Sequence, residues 1–151
     1  MIENSMELVL VEDNPNDLDL VLHALRKSGL KEKIQVLRDG AEALEYMFCE
    51  GKYADRSMSD VPKVILLDIK LPKVNGLELL ERLKASERTR AIPVVMFTSS
   101  RQERDVDDSY QFGVNSYVVK PVDSEEFTRV VAQLKQYWLE TNEPPPEPIQ
   151  E

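Results

Sequence analysis

Glu12, Asp13, Asp68, Thr98 and Lys120 are the residues of this chain best suited to chemistry, and each stands at the end of a short apolar run. Glu12 and Asp13 follow Glu7-Leu-Val-Leu-Val11, and Asp68 follows Val64-Ile-Leu-Leu67. Thr98 follows Pro93-Val-Val-Met-Phe97, and Lys120 follows Ser116-Tyr-Val-Val119. In a doubly wound parallel sheet, ligands bind outside the carboxyl ends of the strands, where the strand order reverses. With strand order 2-1-3-4-5, the strands bearing these residues are neighbours, and the five side chains converge on one edge. Three carboxylates crowded together repel one another unless a cation intervenes. Hard oxygen donors that leave room for water suit Mg²⁺. A carboxylate nucleophile, a divalent ion, an ammonium and a hydroxyl together match transfer of a phosphoryl group onto an aspartate. Such a reaction is governed by positioning and charge neutralisation.

Taken singly, each residue has a plainer role. Glu12 and Asp13 sit well near the positive end of a following helix. Asp68 reads as a loop carboxylate, Thr98 as a cap for the helix after it, and Lys120 as an ordinary surface lysine. The conjunction overturns these readings: an acid pair, an acid, a hydroxyl and a lysine all fall at carboxyl ends of strands.

The elements that must position them follow from periodicity. Short runs at 7–11, 34–37, 64–67, 93–97 and 116–119 read as buried strands. Between them lie five helical patterns. Asn14-Pro15 opens the first, which carries Leu18, Val21, Leu22 and Leu25 and ends at Gly29. Asp39 caps the second, with Ala41, Leu44 and Phe48 as its stripe. Leu77, Leu80 and Leu83 mark the third. Arg101 to Phe112 is a polar fourth helix with only Val106 and Tyr110 at helical spacing. Asp123 and Glu126 resemble a capping box for a fifth carrying Phe127, Val130, Val131, Leu134 and Trp138. The fold class is therefore α/β: a (βα)5 doubly wound, five-stranded parallel sheet with right-handed crossovers. Glu50 to Pro62 reads as a loop. Residues 141–151, holding four of the nine prolines, read as an extended Pro/Glu-rich tail beyond a domain at 6–140.

Composition narrows the classes. With 151 residues the chain suits one domain, large enough to fold without disulfide or metal. The formal charge of −9 argues against a nucleic-acid surface. One histidine and one cysteine exclude the common zinc clusters and any internal disulfide, which fits a reducing cytoplasm. No apolar run approaches the roughly 18–20 residues of a membrane span, and Met1 to Ser5 lacks the character of a signal peptide.

Val11-Glu12-Asp13-Asn14, Leu66-Leu-Asp68-Ile-Lys-Leu-Pro72-Lys-Val-Asn-Gly76, Phe97-Thr98-Ser99-Ser100, Gly113, Tyr117 and Val119-Lys120-Pro121 form a specific motif set. By these residues the chain resembles the response-regulator receiver domain of two-component signalling, a flavodoxin-like, CheY-like fold, over about residues 6–140. The resemblance implies that Asp68 accepts a phosphoryl group from a sensor kinase histidine. It implies Mg²⁺ ligated by Asp13, Asp68 and the backbone carbonyl of Lys70, with Glu12 acting through water. Thr98 and Lys120 would bind the phosphoryl oxygens, Tyr117 would be the switch aromatic, and the Lys120–Pro121 peptide would be cis. Through the Glu50–Pro62 loop, the Leu71–Gly76 turn and the aromatic end of the last helix, the chain is similar to the single-domain regulators that serve phytochrome-class photoreceptor kinases. Lys70 and Ser100, two places beyond Asp68 and Thr98, depart from the residues that often orient the hydrolytic water.

Other classes are weighed on the same residues. A flavodoxin-like FMN carrier needs a Ser/Thr/Gly-rich phosphate loop where this chain has Glu12-Asp13-Asn14-Pro15. An aspartyl phosphatase places a second acid where Lys70 stands. A pseudo-receiver that only binds partners has no physical need for Asp13, Asp68, Thr98 and Lys120. The expectation is a regulator without an output domain or an outside substrate, since the chain ends soon after its last helix. Its output is protein–protein contact, including a homodimer or kinase complex through the face of helix 4, strand 5 and helix 5. His23 reads as a surface residue and Cys49 as a small core or loop residue. Tyr137 and Trp138 either complete the core stripe or form an exposed patch.

Overall fold

The structure is a computed structural model that describes residues 6–29 and 33–146. The expectations for Met1 to Ser5 and for residues 147–151 lie outside the described residues. Five strands, β1 (Leu8–Val11), β2 (Ile34–Leu37), β3 (Val64–Leu67), β4 (Val94–Thr98) and β5 (Ser116–Val119), pair in parallel in the order β2-β1-β3-β4-β5. They alternate with α1 (Pro15–Lys27), α2 (Gly40–Met47), α3 (Gly76–Ala85), α4 (Glu103–Gln111) and α5 (Ser124–Lys135).

The sheet is buried on both faces, and the alternation of its side chains divides the core in two. Val9, Val11, Ile65, Leu67, Val94 and Met96 point into one cluster, shared with Leu79, Leu80 and Leu83 of α3 and with Ala43, Tyr46 and Met47 of α2. Leu8, Leu10, Val64, Leu66, Val95 and Phe97 point into the other, shared with Leu18, Val21 and Leu25 of α1 and with Phe127 and Val131 of α5. This is the period-two geometry of a strand. Each fully buried Leu, Val or Phe contributes roughly 1.5–3 kcal/mol, and Phe97 also meets Phe127 edge to face at 5.2 Å between centroids.

Local signals start the helices. The side-chain oxygens of Asn14, Asp39, Asn75 and Asp123 accept from the amides of Asp17, Glu42, Glu78 and Glu126, leaving fewer orphan donors in each first turn. Only half of the expected capping box at α5 forms, because the Glu126 carboxylate pairs with Arg129. Gly76 begins α3 where a Cβ would stand 2.1 Å from the Asp68 carbonyl oxygen and 2.8 Å from the Ile69 Cα. Its missing side chain lets α3 press against the loop that presents Asp68.

Several expectations are corrected. The fully buried residues of α2 include Ala43, Tyr46 and Met47; of the expected stripe, Leu44 and Phe48 are half-buried against the same core and Ala41 is half-buried. Tyr46 is sandwiched: the Arg56 guanidinium lies 3.8 Å from its ring centroid and Tyr53 meets it edge-on at 5.0 Å. Residues 50–62 are thus not a plain loop. They include a 3-10 turn at Gly51–Tyr53, and Arg56 ties them down by donating to the backbone oxygens of Tyr46 and Asp60. On α4 the buried residue is Ser109, and Tyr110 points outward, 54% exposed. After α5 the chain continues as a π-helical turn, Gln136–Thr141. There Trp138 and Leu139 pack on the α1/α5 core, whereas Tyr137 stays exposed.

At the amino edge of the sheet, Lys84 of α3 donates to the carbonyls of Arg90 and Ile92 and to Asn115 Oδ1, at 2.9, 2.9 and 3.0 Å. The same Asn115 oxygen accepts from the Val94 amide at 2.8 Å. Burial among uncharged acceptors pulls the Lys84 ammonium down to about 8 from an ordinary value of 10.5. Between those values the unfolded chain binds more protons than the folded one, so this residue makes stability rise with pH. Urea midpoints from about pH 8 to 10 should climb more in the wild type than in Lys84→Met; parallel curves would refute the assignment.

Candidate functional site

The register of the sheet sets the site. Val11 pairs with Leu67, and the Asp68 amide donates to the Val11 carbonyl at 3.2 Å, so the residues leaving β1 and β3 emerge side by side. The Lys120 amide donates to the Thr98 carbonyl at 2.7 Å, which binds the exit of β5 to the end of β4. Glu12, Asp68, Thr98 and Lys120 are all buried at this edge.

Lys120 is the centre of the arrangement. Its Nζ donates to Glu12 Oε1 at 2.6 Å, Asp17 Oδ2 at 2.8 Å and Asp68 Oδ2 at 2.9 Å. The other Asp68 oxygen accepts from the Ile69 amide at 2.7 Å, and the other Glu12 oxygen from the Asn14 amide at 3.1 Å. Burial pushes Glu12 up to about 7, against the opposing pull of Lys120 and with a further push from the Asp68 charge. Burial disfavours the Lys120 ammonium, but Asp17, Glu12 and Asp68 together hold it above the ordinary lysine range.

Thr98 Oγ1 accepts from the Ser100 amide at 3.3 Å, and Ser100 Oγ donates to Asp105 Oδ2 on α4 at 2.6 Å. The half-buried Tyr117 on β5 donates its hydroxyl to the Ser100 carbonyl at 3.0 Å. One loop therefore joins Thr98, α4 and Tyr117.

Of the residues singled out by sequence, Glu12, Asp68 and Lys120 touch. Asp13 stands beside them at the partly exposed rim, and Thr98 is joined to Lys120 through the backbone. Lys70 follows in the loop after Asp68, with its residue exposed. Thr98 is not a helix cap, since α4 begins at Glu103 behind Gln102. Lys120 is not a surface lysine. His23 is exposed on α1, as expected. The Lys120–Pro121 peptide is trans, contrary to the expectation drawn from the resemblance: no cis bond occurs among the described residues. Trans is the isomer that an X–Pro bond favours by about 0.5–1 kcal/mol. Asp17 was missed; its only signal in the sequence is an acid in the first turn of the helix that leaves β1.

The donor chemistry fits a hard divalent ion. Carboxylate oxygens gather around a single ammonium and leave negative charge in excess. An ion such as Mg²⁺ is bound by one or two carboxylates and keeps several of its waters; among the described residues no group of three or more His, Cys, Asp or Glu side chains is placed to hold a metal ion.

Comparison with known proteins agrees with this geometry. Residues 8–132 match the response regulator receiver domain model. The bacteriophytochrome response regulator RtBRR is 52% identical, with a TM-score of 0.72 over 92% of this chain and 83% of that one. The Mn²⁺-bound form of response regulator Rcp1 superposes with a TM-score of 0.85 at 35% identity, covering 92% of this chain and 98% of that one. The probable methanogenesis regulatory protein FilR2 of Methanothrix harundinacea is 40% identical over 143 residues, 95% of this chain and 90% of that protein. No helix among the described residues is long and apolar enough to cross a membrane. With the sheet order, the charged edge and a family match spanning nearly all of the sheet and its helices, this chain belongs to the response regulator receiver domain family of two-component signalling.

Proposed function

We propose that the chain is a single-domain response regulator whose Asp68 accepts a phosphoryl group from a sensor histidine kinase, and that this kinase is of the phytochrome class. The observation that supports it best is the buried Lys120 ammonium bridging Glu12 and Asp68 across the ends of β1, β3 and β5. The likeness to a bacteriophytochrome response regulator supports the kinase class. Residues 6–140 form the receiver and 141–151 its tail.

Asp13, Asp68 and the Lys70 carbonyl, with Glu12 through water, would hold Mg²⁺, which would supply positive charge for the phosphoryl oxygens. The remaining work falls to the chain. An Asp68 carboxylate oxygen bonds to phosphorus as the bond from phosphorus to the kinase imidazole nitrogen breaks, and the electron pair leaves on that nitrogen. Lys120 and the Thr98 hydroxyl hold the phosphoryl oxygens. Water later attacks phosphorus, releasing phosphate and restoring the carboxylate. The chemistry is self-directed, with no outside substrate. Incubation with acetyl phosphate and Mg²⁺ should add the mass of one phosphoryl group, and EDTA should prevent it. No gain in mass would favour a pseudo-receiver that only binds partners.

Output is protein–protein contact through the face of α4, β5 and α5, at the cytoplasmic side of signalling and without nucleic acid. α4 buries only Ser109 and has no side-chain cap, so it is held less tightly than its neighbours. Movement of Thr98 toward a phosphoryl group pulls on the Ser100 loop to which Tyr117 is bonded. Phosphorylation shifts the population of this face and so its association with a kinase or a second copy. Tyr117→Ala should retain phosphoryl uptake while blunting the change in sedimentation on phosphorylation. A full change in that variant would remove Tyr117 from the switch.

A further inference from the structure

A lysine ammonium has three N–H donors and no acceptor, and in this structure all three Lys120 donors are taken by carboxylates. A phosphoryl group on Asp68 offers several new oxygens to the same ammonium. The donor now on Asp68 Oδ2 can pass to one of them; for Lys120 to hold a second, Glu12 or Asp17 must let go. Glu12 is the poorer choice, because its side chain is 2% exposed and bulk solvent reaches it less readily than it reaches Asp17. The Asp17 side chain is 27% exposed, so water can solvate it once released. Its charge also opposes the phosphorylated state. The Asp17 and Asp68 oxygens touch one nitrogen, which places them within the roughly 4–6 Å over which like charges act on each other.

We propose that Asp17 is a positioning residue: it holds Lys120 in the unphosphorylated state and is the partner Lys120 surrenders when Asp68 is phosphorylated. This rests on the reading of Asp68 as the phosphoryl acceptor. The exchange has a mechanical consequence. Asp17 lies in the first turn of α1, on the Asn14 cap, so its release unties α1 from the carboxyl end of β5. The same contact sets how readily the site is occupied.

The test uses beryllofluoride with Mg²⁺ as the phosphoryl mimic, read by fluorine NMR on the full chain. Asp17→Asn and Asp17→Ala should bind it about two- to fivefold tighter than the wild type, the change expected from freeing a partly exposed ion pair. Asp17→Glu should restore wild-type affinity. Mg²⁺ alone should bind these neutral variants no more tightly than the wild type, since one negative charge is lost nearby. A loss of fold would weaken both ligands together, so tighter beryllofluoride without tighter Mg²⁺ separates positioning from stability. Equal or weaker beryllofluoride binding by Asp17→Asn, with normal binding by the wild type, overturns the Asp17 assignment alone. A wild type that binds no beryllofluoride and gains no mass from acetyl phosphate overturns the Asp68 reading and this proposal with it.

Discussion

Asp68→Asn is expected to leave a folded chain whose phosphoryl uptake falls to background. The amide keeps the size of the side chain but offers phosphorus no anionic oxygen. It also removes a hard anionic donor from the edge where Mg²⁺ is proposed to bind. The effect on folding is limited because Lys120 keeps the Glu12 and Asp17 carboxylates as partners. In the wild type the two Asp68 oxygens serve two donors, the Ile69 amide and Lys120. Asparagine has one acceptor oxygen, so one of these bonds is lost, at the cost of a hydrogen bond to a charged group, about 1.5–3 kcal/mol. Against that, the Asp68 charge that helps to push Glu12 up is gone. Intact mass after incubation with acetyl phosphate and Mg²⁺, and with a phytochrome-class kinase, reads the first effect, and urea unfolding the second. A stable phosphoryl group at wild-type yield on the asparagine variant would show that the acceptor lies elsewhere.

Lys120→Ala should have the largest effect on stability. Glu12 and Asp68 are buried and share this ammonium. Removing one partner of a buried ion pair typically costs about 3–5 kcal/mol, because the remaining charge is left uncompensated. Glu12 escapes part of that cost by keeping a proton. In the wild type burial already pushes it up to about 7, with Lys120 opposing; without Lys120 it moves higher. The folded variant then holds a proton that the unfolded chain gives up near 4.5. Stability of the variant is therefore greatest below that pH and falls as the pH rises through neutrality. Its urea midpoint should lie below the wild type at both pH values, and further below it near pH 8 than near pH 5, because a protonated Glu12 relieves its own loss but not that of Asp68. Mg²⁺ should restore much of the difference, since an ion that binds the folded state stabilises it by mass action. Phosphoryl uptake should slow even with Mg²⁺ saturating. Equal midpoints at both pH values would mean that Lys120 does not hold the cluster together.

The fold was legible wherever the signal is short-ranged. Val64-Ile-Leu-Leu67 reads as a buried strand because four apolar residues in a row fit a sheet covered on both faces. Asn14, Asp39 and Asp123 read as caps because a cap acts on the amide three residues ahead. Parallel pairing and right-handed crossovers leave few ways to lay five strands; the order 2-1-3-4-5 is that of the fold the chain resembles, and the structure has it. With that order, the residues just past β1, β3, β4 and β5 had to share one edge, so the candidate site was visible before any coordinate.

What the sequence did not determine lies in contacts between distant segments. Nothing in the run Asn14 to Leu20 shows that Asp17 meets Lys120, 103 residues away; that pairing depends on how α1 sits over the exit of β5. On the second helix Tyr46 is buried more deeply than Phe48, with Arg56 from the next loop over its ring. Periodicity and capping are properties of a few adjacent residues, and the sequence states them directly. The choice of ion-pair partner and of buried face is made by desolvation and packing when remote elements meet, and those were decided only by the tertiary structure.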